Sequence, residues 1–219
     1  MRKVNNFIKD TEVVGQRLRT GGWELGLTHR EFFGPAIFDA TLAYRRGTGA
    51  FGAKAAPQER SGEGTSRMKL VTVDATLTVP FEVAQQQLRY TANWRAQWNA
   101  TPLVVQDRFA IGGRYTVRGF DGERNLMGER GWIWRNDLSL ALADVLGIRQ
   151  AFYAGVDVGQ VAGPSTHALK GGSLAGAVIG IRGERQAVSW DLFAGMPLHK
   201  PENLRTNAFT SGFRLSLSY

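Results

Sequence analysis

Apolar and polar residues alternate over most of this chain. The clearest stretch runs from Val71 to Val79, where aliphatic residues at every second position are separated by three threonines and Asp74. A period of two is the pattern of a β-strand that has one apolar and one polar face. We predict about ten such strands, because similar alternation recurs in the segments 11–18, 23–30, 36–45, 71–79, 88–98, 132–142, 152–158, 175–181, 188–194 and 213–219.

The connections between these strands are predicted to alternate in length. Short connections are expected near 33–36, 80–86, 143–149 and 183–187, and the second of them passes through Pro80. Long loops at one rim and short turns at the other are typical of outer-membrane β-barrels. The long connections are expected near 47–66, 99–130, 160–170 and 197–207.

Two folds contain strands of this kind. In a soluble β-sandwich the apolar faces would form the core, whereas in a transmembrane β-barrel they would face lipid. Three features favour the barrel: aromatic residues lie at strand ends, the connections alternate in length, and the last residue, Tyr219, is aromatic. Small residues on the apolar faces, such as Ala92 and Ala154, fit lipid exposure less well. We predict an all-β fold that forms part of an antiparallel transmembrane barrel, with the sandwich as the alternative.

The segment 107–137 interrupts the alternation and is rich in glycine and charge. A loop of this length between two strands is usually functional. At its centre, Val117-Arg118-Gly119-Phe120 places one arginine among apolar residues, where a guanidinium can bind one particular acceptor. The alternative interpretation is a disordered basic surface loop. Glycines that permit tight chain reversal and close packing here are Gly112, Gly113, Gly128 and Gly131.

The composition of the chain limits the classes of function that it can have. Among 219 residues, 27 glycines, 12 Phe, 6 Trp and 5 Tyr favour β structure with many turns. The net charge of +8 suits a polyanion or an anionic membrane surface. Because basic residues alternate with apolar ones instead of clustering, we expect no nucleic-acid partner. A soluble basic β-domain that binds a polyanion through Arg45, Arg89 and Arg95 remains the alternative function.

Enzymatic chemistry is not indicated by the sequence. The three histidines, His29, His167 and His199, lack metal-site spacing, and there is no cysteine for thiol chemistry. The segment 171–175 ends in alanine and so lacks the last glycine of a nucleophile elbow. We expect no enzyme, no metal and no cofactor. No stretch approaches the roughly 18 apolar residues of a transmembrane helix, and the first residues lack the apolar core of a secretory signal.

Five short motifs stand in and beyond the central segment. They are Phe109-Ala110-Ile111-Gly112-Gly113, Val117-Arg118-Gly119-Phe120, Gly128-Glu129-Arg130-Gly131, Arg135-Asn136-Asp137 and, further on, Gly155-Val156-Asp157-Val158-Gly159-Gln160-Val161. In this order they resemble the two-partner secretion transporters, which are the filamentous-haemagglutinin and haemolysin secretion/activation family of the outer-membrane assembly superfamily. The arginine motif is specific to the superfamily, whereas its flanks and the downstream motif indicate the secretion branch.

The resemblance implies an outer-membrane pore that translocates a partner exoprotein of the haemolysin or adhesin type. Loop 99–131 would fold into the lumen, where Arg118 would pair with Asp157 on the inner wall, beside Gly159. The alternation also places Arg135 and Asp137 toward the lumen. A related pattern in the superfamily has phenylalanine two residues before the aspartate, where this chain has Gly155. The resemblance therefore predicts the ion pair but not which side chains pack around it.

The resemblance also implies partners and a longer domain organisation. The expected partners are an unfolded secreted exoprotein, outer-membrane lipid, and the barrel-assembly machinery, which would recognise the C-terminal strand through Phe213, Leu215, Leu217 and Tyr219. Family members are expected to have a signal peptide, two periplasmic polypeptide-transport-associated domains and a barrel of roughly sixteen strands. Since 1–219 shows neither signal nor such domains, we expect it to be the C-terminal part of that barrel, starting around the seventh strand.

Overall fold

Strands account for most of the regular structure. The computed structural model describes residues 2–4, 7–8, 11–12, 18–50, 52, 55–56, 59, 62, 64–144, 147–167, 169 and 171–218. Across these residues, no helix is long and apolar enough to cross a membrane. The strands in the same residues are β1 (Arg2–Val4), β2 (Phe7–Ile8), β3 (Thr11–Glu12), β4 (Leu18–Phe33), β5 (Ala36–Thr48), β6 (Lys69–Val83), β7 (Gln86–Asn99), β8 (Phe109–Ile111), β9 (Leu126–Gly128), β10 (Arg130–Ala141), β11 (Arg149–Ala162), β12 (Ser173–Arg185), β13 (Val188–His199) and β14 (Thr210–Leu217).

One antiparallel sheet contains ten of these strands, in the order β1-β4-β5-β6-β7-β10-β11-β12-β13-β14. β1 has three residues, and the other nine strands have between 8 and 16. From β4 onward, each strand pairs with the next one along the chain, except that the hairpin of β8 and β9 is inserted between β7 and β10. Nine of the ten predicted strands, from 23–30 to 213–219, correspond to β4–β7 and β10–β14, and the predicted antiparallel arrangement is confirmed.

The N-terminal strand is the exception to this agreement. Most of the segment predicted as a strand, 11–18, lies outside the described residues. Its described start, Thr11–Glu12, is β3, which pairs with β2 and not with the main sheet. The strand that does pair with β4 is β1, through Arg2 to Val4. Alternation could not identify it, because three residues are too few for a period of two to be recognised.

Pro80 does not lie in a connection, and that prediction is wrong. β6 continues through Pro80 to Val83, and the turn to β7 consists of Ala84 and Gln85, with φ of 50° and 64°. Two residues with positive φ form the turn that suits a tight hairpin. Pro80 is tolerated because β5 pairs with β6 only as far as Thr78, so Pro80 lies beyond that ladder on the β5 side.

The connections alternate in length as predicted. Short turns cover 34–35, 84–85, 142–148 and 186–187, whereas the long connections cover 49–68, 100–129, 163–172 and 200–209. Because neighbouring strands are antiparallel, all short turns lie at one end of the sheet and all long connections at the other. The longest connection, 100–129, is called the central loop below, and it lies slightly within the predicted bounds of 99–131.

The two faces of the sheet differ in polarity. We call the apolar one the outer face, and its large side chains are exposed, including Leu25, Leu27, Ile179, Leu192 and Leu215. The opposite, inner face carries the polar positions of the alternation and supports the central loop. An apolar face this extensive requires an apolar environment around the sheet.

Candidate functional site

The central loop is packed against the inner face and is not free in solvent. Its hairpin of β8 and β9 and the motif 117–120 contribute apolar side chains to a buried cluster with the wall. The interpretation as a disordered surface loop is therefore wrong. The cluster consists of Phe109, Ile111, Val117, Phe120 and Leu126 from the loop, Ile133, Val161 and Leu174 from β10 to β12, and Leu204 from the connection before β14.

A tight turn presents the arginine motif to the wall. The amide of Gly113 donates to the carbonyl of Val117 at 3.0 Å, and the amide of Thr116 donates to the carbonyl of Gly113 at 3.0 Å. Gly112 precedes the turn with φ of 103°, a region that favours glycine. Its amide donates to Thr116 Oγ1 at 3.1 Å. The turn directs the next residue, Arg118, toward the sheet.

Arg118 lies between two aspartates of the inner face. Its Nε donates to Asp157 Oδ2 at 2.6 Å, and its Nη2 donates to Asp157 Oδ1 at 2.7 Å. The backbone amide of Arg118 donates to the same Oδ2 at 3.0 Å, while Nη2 also donates to Asp137 Oδ1 at 2.7 Å. Asp157 is 0% exposed and Arg118 is 6% exposed. A bidentate pair of this kind fixes orientation, which the single charge of a lysine would not do.

Arg135 carries the fourth charge of the cluster. It faces Asp157 across the β10–β11 pair, and its Nε lies 3.6 Å from Asp157 Oδ2. Two arginines therefore balance two aspartates, which offsets the cost of removing these charges from water. Burial lowers the pKa of Arg118, but hydrogen bonds to Asp157 and Asp137 outweigh it and raise that pKa above its ordinary value. Arg118 stays charged throughout the physiological pH range.

Four glycines of β11, β12 and β13 form the part of the wall that the motif touches. We call this set the glycine floor: Gly155, Gly159, Gly176 and Gly195. A Cβ at Gly159 would lie 2.9 Å from Cγ2 of Val117, and one at Gly195 would lie 3.1 Å from Cα of Gly119. Gly119 itself has φ of 93°. Glycine on both sides thus allows the loop backbone to approach the wall closely.

The other two floor glycines make room for Arg118. A Cβ at Gly155 would lie 2.8 Å from Arg118 Nη2, and a Cβ at Gly176 would collide with the Arg118 carbonyl oxygen. The glycine at 155, where the related pattern has phenylalanine, therefore leaves space for the guanidinium. Sequence reasoning selected Gly159 but missed Gly176 and Gly195. The available signal was the recurrence of glycine at polar-face positions of neighbouring strands.

The predicted loop glycines have two different roles. Gly112 and its neighbour shape the turn described above. Gly128 and Gly131 instead permit close packing, since a Cβ at Gly128 would lie 2.7 Å from the carbonyl oxygen of Ala162. A Cβ at Gly131 would lie 2.7 Å from the ring of Phe109. Gly131 belongs to β10 and not to the loop.

A second polar cluster holds the end of the central loop. Glu129 is 4% exposed, and its Oε2 accepts hydrogen bonds from Ser165 Oγ at 2.9 Å and from the Ser165 amide at 3.2 Å. Its Oε1 lies 3.4 Å from Arg108 Nε, and its carbonyl accepts a hydrogen bond from Gln97 Nε2 at 3.2 Å. These contacts join the loop to β7 and to the connection after β11. No role was predicted for Glu129, although it stands in one of the five motifs.

The docked loop and the motifs around it agree with a comparison against protein families. The family model for "Haemolysin secretion/activation protein ShlB/FhaC/HecB" matches residues 1–183. The chain belongs to this family. The resemblance stated from the five motifs is thereby confirmed for most of the chain.

Individual relatives of the family match nearly all of this chain. "Outer membrane transporter CdiB-2" of Burkholderia pseudomallei (strain 1026b) is 39% identical in an alignment of 219 positions, which covers 98% of this chain and 37% of that protein. The solved structure of CdiB from Acinetobacter baumannii matches with a TM-score of 0.83 and 34% identity, over 99% of this chain and 37% of that chain. CdiB from Escherichia coli matches with a TM-score of 0.87 and 25% identity, over 97% of this chain and 39% of that chain.

These matches decide the fold class. The chain is all-β and forms part of an antiparallel β-barrel, as predicted, and the β-sandwich alternative is wrong. The chain spans 37% of the length of the curated relative with which it shares 39% identity. The activity of a whole ShlB/FhaC/HecB family transporter is therefore a proposal for this chain.

The three arginines of the polyanion-binding alternative do not form a free basic patch. Arg45 Nε lies 3.0 Å from Glu24 Oε2, and Arg95 Nε lies 2.9 Å from Asp74 Oδ1. Arg89 lines a polar cavity of about 770 Å³ at the end of the sheet that carries the short turns. Their positions on the inner face fit the lining of a barrel of this family better than a surface that binds nucleic acid.

The predicted assembly signal lies on the outer face of the last strand. Phe213, Leu215 and Leu217 alternate along β14 and are exposed. Tyr219 lies outside the described residues. The structure thus places three of these four residues on the apolar surface of the family barrel.

Proposed function

We propose that this chain forms part of the wall and the internal loop of an outer-membrane pore that translocates a partner exoprotein in two-partner secretion. Its substrate would be an unfolded polypeptide of the haemolysin or adhesin type. The central loop would gate the lumen by docking on the inner face and leaving it. This role requires neither catalysis nor a cofactor.

The observation that carries the proposal is the position of Arg118 between Asp157 and Asp137 on the inner face of a family barrel. A loop that docks through a buried charge cluster has a defined docked state, which a switch needs. The polar inner face suits passage of a hydrated chain. The curated relatives are named outer membrane transporters.

We further propose the cell outer membrane as the location, with lipid against the outer face. The long strands other than β14 have 12 to 16 residues, and a tilted strand needs about 9 to 11 to cross the hydrocarbon core. The barrel-assembly machinery would recognise the C-terminal strand through the predicted signal 213–219. We also propose that 1–219 correspond to the C-terminal part of a longer barrel.

A chimera tests the proposed function. Residues 1–219 would replace the aligned segment of the CdiB-2 transporter, whose own exoprotein would be followed at the cell surface. We expect the chimera to insert in the outer membrane and to export the exoprotein. Insertion is checked separately, by the faster electrophoretic mobility that a folded barrel shows before heating.

The matched control is the same chimera with Arg118→Ala. It should still insert but should export much less. A chimera that folds and inserts yet exports no more than cells without transporter would contradict the proposal.

The lipid-facing assignment gives a second expected result. In the full-length transporter, Leu77→Arg should impair membrane assembly, because a charge on the lipid face near the bilayer midplane costs about 2 to 4 kcal/mol. Thr76→Arg, one residue earlier in β6, should be tolerated, since Thr76 faces inward and its Oγ1 donates to Asn93 Oδ1 at 3.0 Å. Assembly is measured as the folded fraction in outer-membrane extracts. Equal losses from the two variants would show that the outer face does not contact lipid.

A further inference from the structure

The tight turn carries a second arginine, which reaches different strands from Arg118. The guanidinium carbon of Arg114 lies 4.4 Å from the ring centroid of Phe193 on β13. Its Nη1 donates to the carbonyl oxygen of Phe213 on β14 at 3.0 Å. Its Nη2 lies 3.7 Å from Asp191 Oδ2. One loop side chain is thus held by a ring, a carbonyl and a carboxylate of the β13–β14 pair.

The groups that receive Arg114 are themselves fixed. Asp191 Oδ1 accepts a hydrogen bond from the hydroxyl of Tyr153 at 2.9 Å, and the Tyr153 ring is covered by the guanidinium of Arg182 at 4.6 Å. The ring of Phe193 lies over Gly212, where a Cβ would lie 2.8 Å from it. A binding site whose side chains are already held in place binds an arginine side chain with a small loss of conformational freedom.

We propose that Arg114 is a second positioning residue of the central loop. Arg118 fixes the motif to β10 and β11, and Arg114 fixes the preceding turn to β13 and β14. Because the two anchors lie on opposite sides of β12, the turn and the arginine motif can leave the inner face only when both anchors have parted. The consequence for export rests on the proposed function, whereas the docking itself does not.

Not every arginine of the loop has such contacts. The side chain of Arg114 is 27% exposed. Arg124, ten residues on, is exposed, and within the part of the chain that the structure describes it donates no side-chain hydrogen bond. Arg124→Ala therefore removes the same charge from the same loop without removing an anchor.

An introduced cysteine can report the position of the loop, because the chain contains no cysteine that would react in its place. Val117 is 0% exposed in the docked loop, so Val117→Cys would react with a maleimide only after the loop leaves the wall. The measurement is the modification rate in a folded full-length transporter that carries this segment and no other cysteine. We expect Arg114→Ala to raise the rate about tenfold, as loss of a cation–ring contact with its hydrogen bond would do. Arg114→Lys should raise it less, and Arg124→Ala should leave it unchanged.

A modification rate in Arg114→Ala equal to that in Arg124→Ala would overturn the proposal. Phe193→Leu removes the ring but keeps an apolar side chain. It should raise the rate less than Arg114→Ala does, because Arg114 keeps its hydrogen bond to the Phe213 carbonyl, and adding it to Arg114→Ala should raise the rate little further. If Arg114→Ala does not fold, Phe193→Leu and Arg114→Lys decide instead, and parental rates in both would overturn the proposal.

Export of the exoprotein is followed in parallel. If the parent transporter exports nothing but Arg114→Ala still raises the modification rate, the second anchor is supported and the proposed function is contradicted. Failure of the anchor and failure of the proposed function are therefore distinguishable.

Discussion

Asp157→Asn should release the central loop, whereas Asp137→Asn should only loosen it. Asp157 is fully buried and accepts three hydrogen bonds from Arg118. In Asp157→Asn, the two positively charged side chains of Arg118 and Arg135 would face a single carboxylate, that of Asp137. Removing one partner of a buried ion pair costs about 3 to 5 kcal/mol, which corresponds to roughly 100-fold or more in the modification rate of Val117→Cys. Export of the exoprotein should fall in the same variant.

Asp137→Asn is the matched comparison, because it removes the same charge from the neighbouring strand. Asp137 accepts one hydrogen bond from Arg118, through Nη2. A hydrogen bond to a charged group contributes about 1.5 to 3 kcal/mol, and the bidentate pair with Asp157 would remain. An effect of Asp137→Asn as large as that of Asp157→Asn would show that the two aspartates hold the loop equally.

Coupling between Arg118 and Asp157 can be measured directly. Arg118→Ala and Asp157→Ala should each reduce export, and the double variant should be no worse than the worse single variant. Arg118→Lys should not restore export, because an ammonium cannot form both hydrogen bonds to the carboxylate. Strictly additive losses would mean that the two residues act separately.

Gly176→Ala should displace the arginine motif from the wall without changing any charge. A Cβ at Gly176 would collide with the carbonyl oxygen of Arg118, so either the loop or β12 must move. Overpacking of this kind costs about 1 to 3 kcal/mol. We expect faster modification of Val117→Cys and reduced export, in a barrel that still inserts.

Gly26→Ala is the control for this steric effect. Gly26 lies in β4 and pairs with Ala43. The nearest atoms to a Cβ there would be the Leu42 carbonyl oxygen at 3.9 Å and the Ala43 Cβ at 4.0 Å, which is ordinary contact. The change should leave loop position and export as they are. Equal responses to Gly176→Ala and Gly26→Ala would contradict the role assigned to the glycine floor.

The sequence by itself determined the long strands of the sheet, β4–β7 and β10–β14, and their two faces. The period of two that separates Leu77 from Thr76 is a local property, because successive side chains of any strand point to opposite sides. The lengths of the connections could also be predicted from the local pattern, although the turn between β6 and β7 was wrongly placed at Pro80. Resemblance in five motifs indicated the family, the loop and the residues Arg118 and Asp157.

Only the tertiary structure decided which groups other than Arg118 and Asp157 meet inside the barrel. Arg114 and the Phe213 carbonyl are 99 residues apart in the chain, and Glu129 and Ser165 are 36 apart. Such contacts depend on the register of successive strand pairs and on the path of the loop across them, which leave no periodic signal in a single segment. The same holds for Gly176, because the need for glycine there arises only when the carbonyl of Arg118 comes to rest against β12.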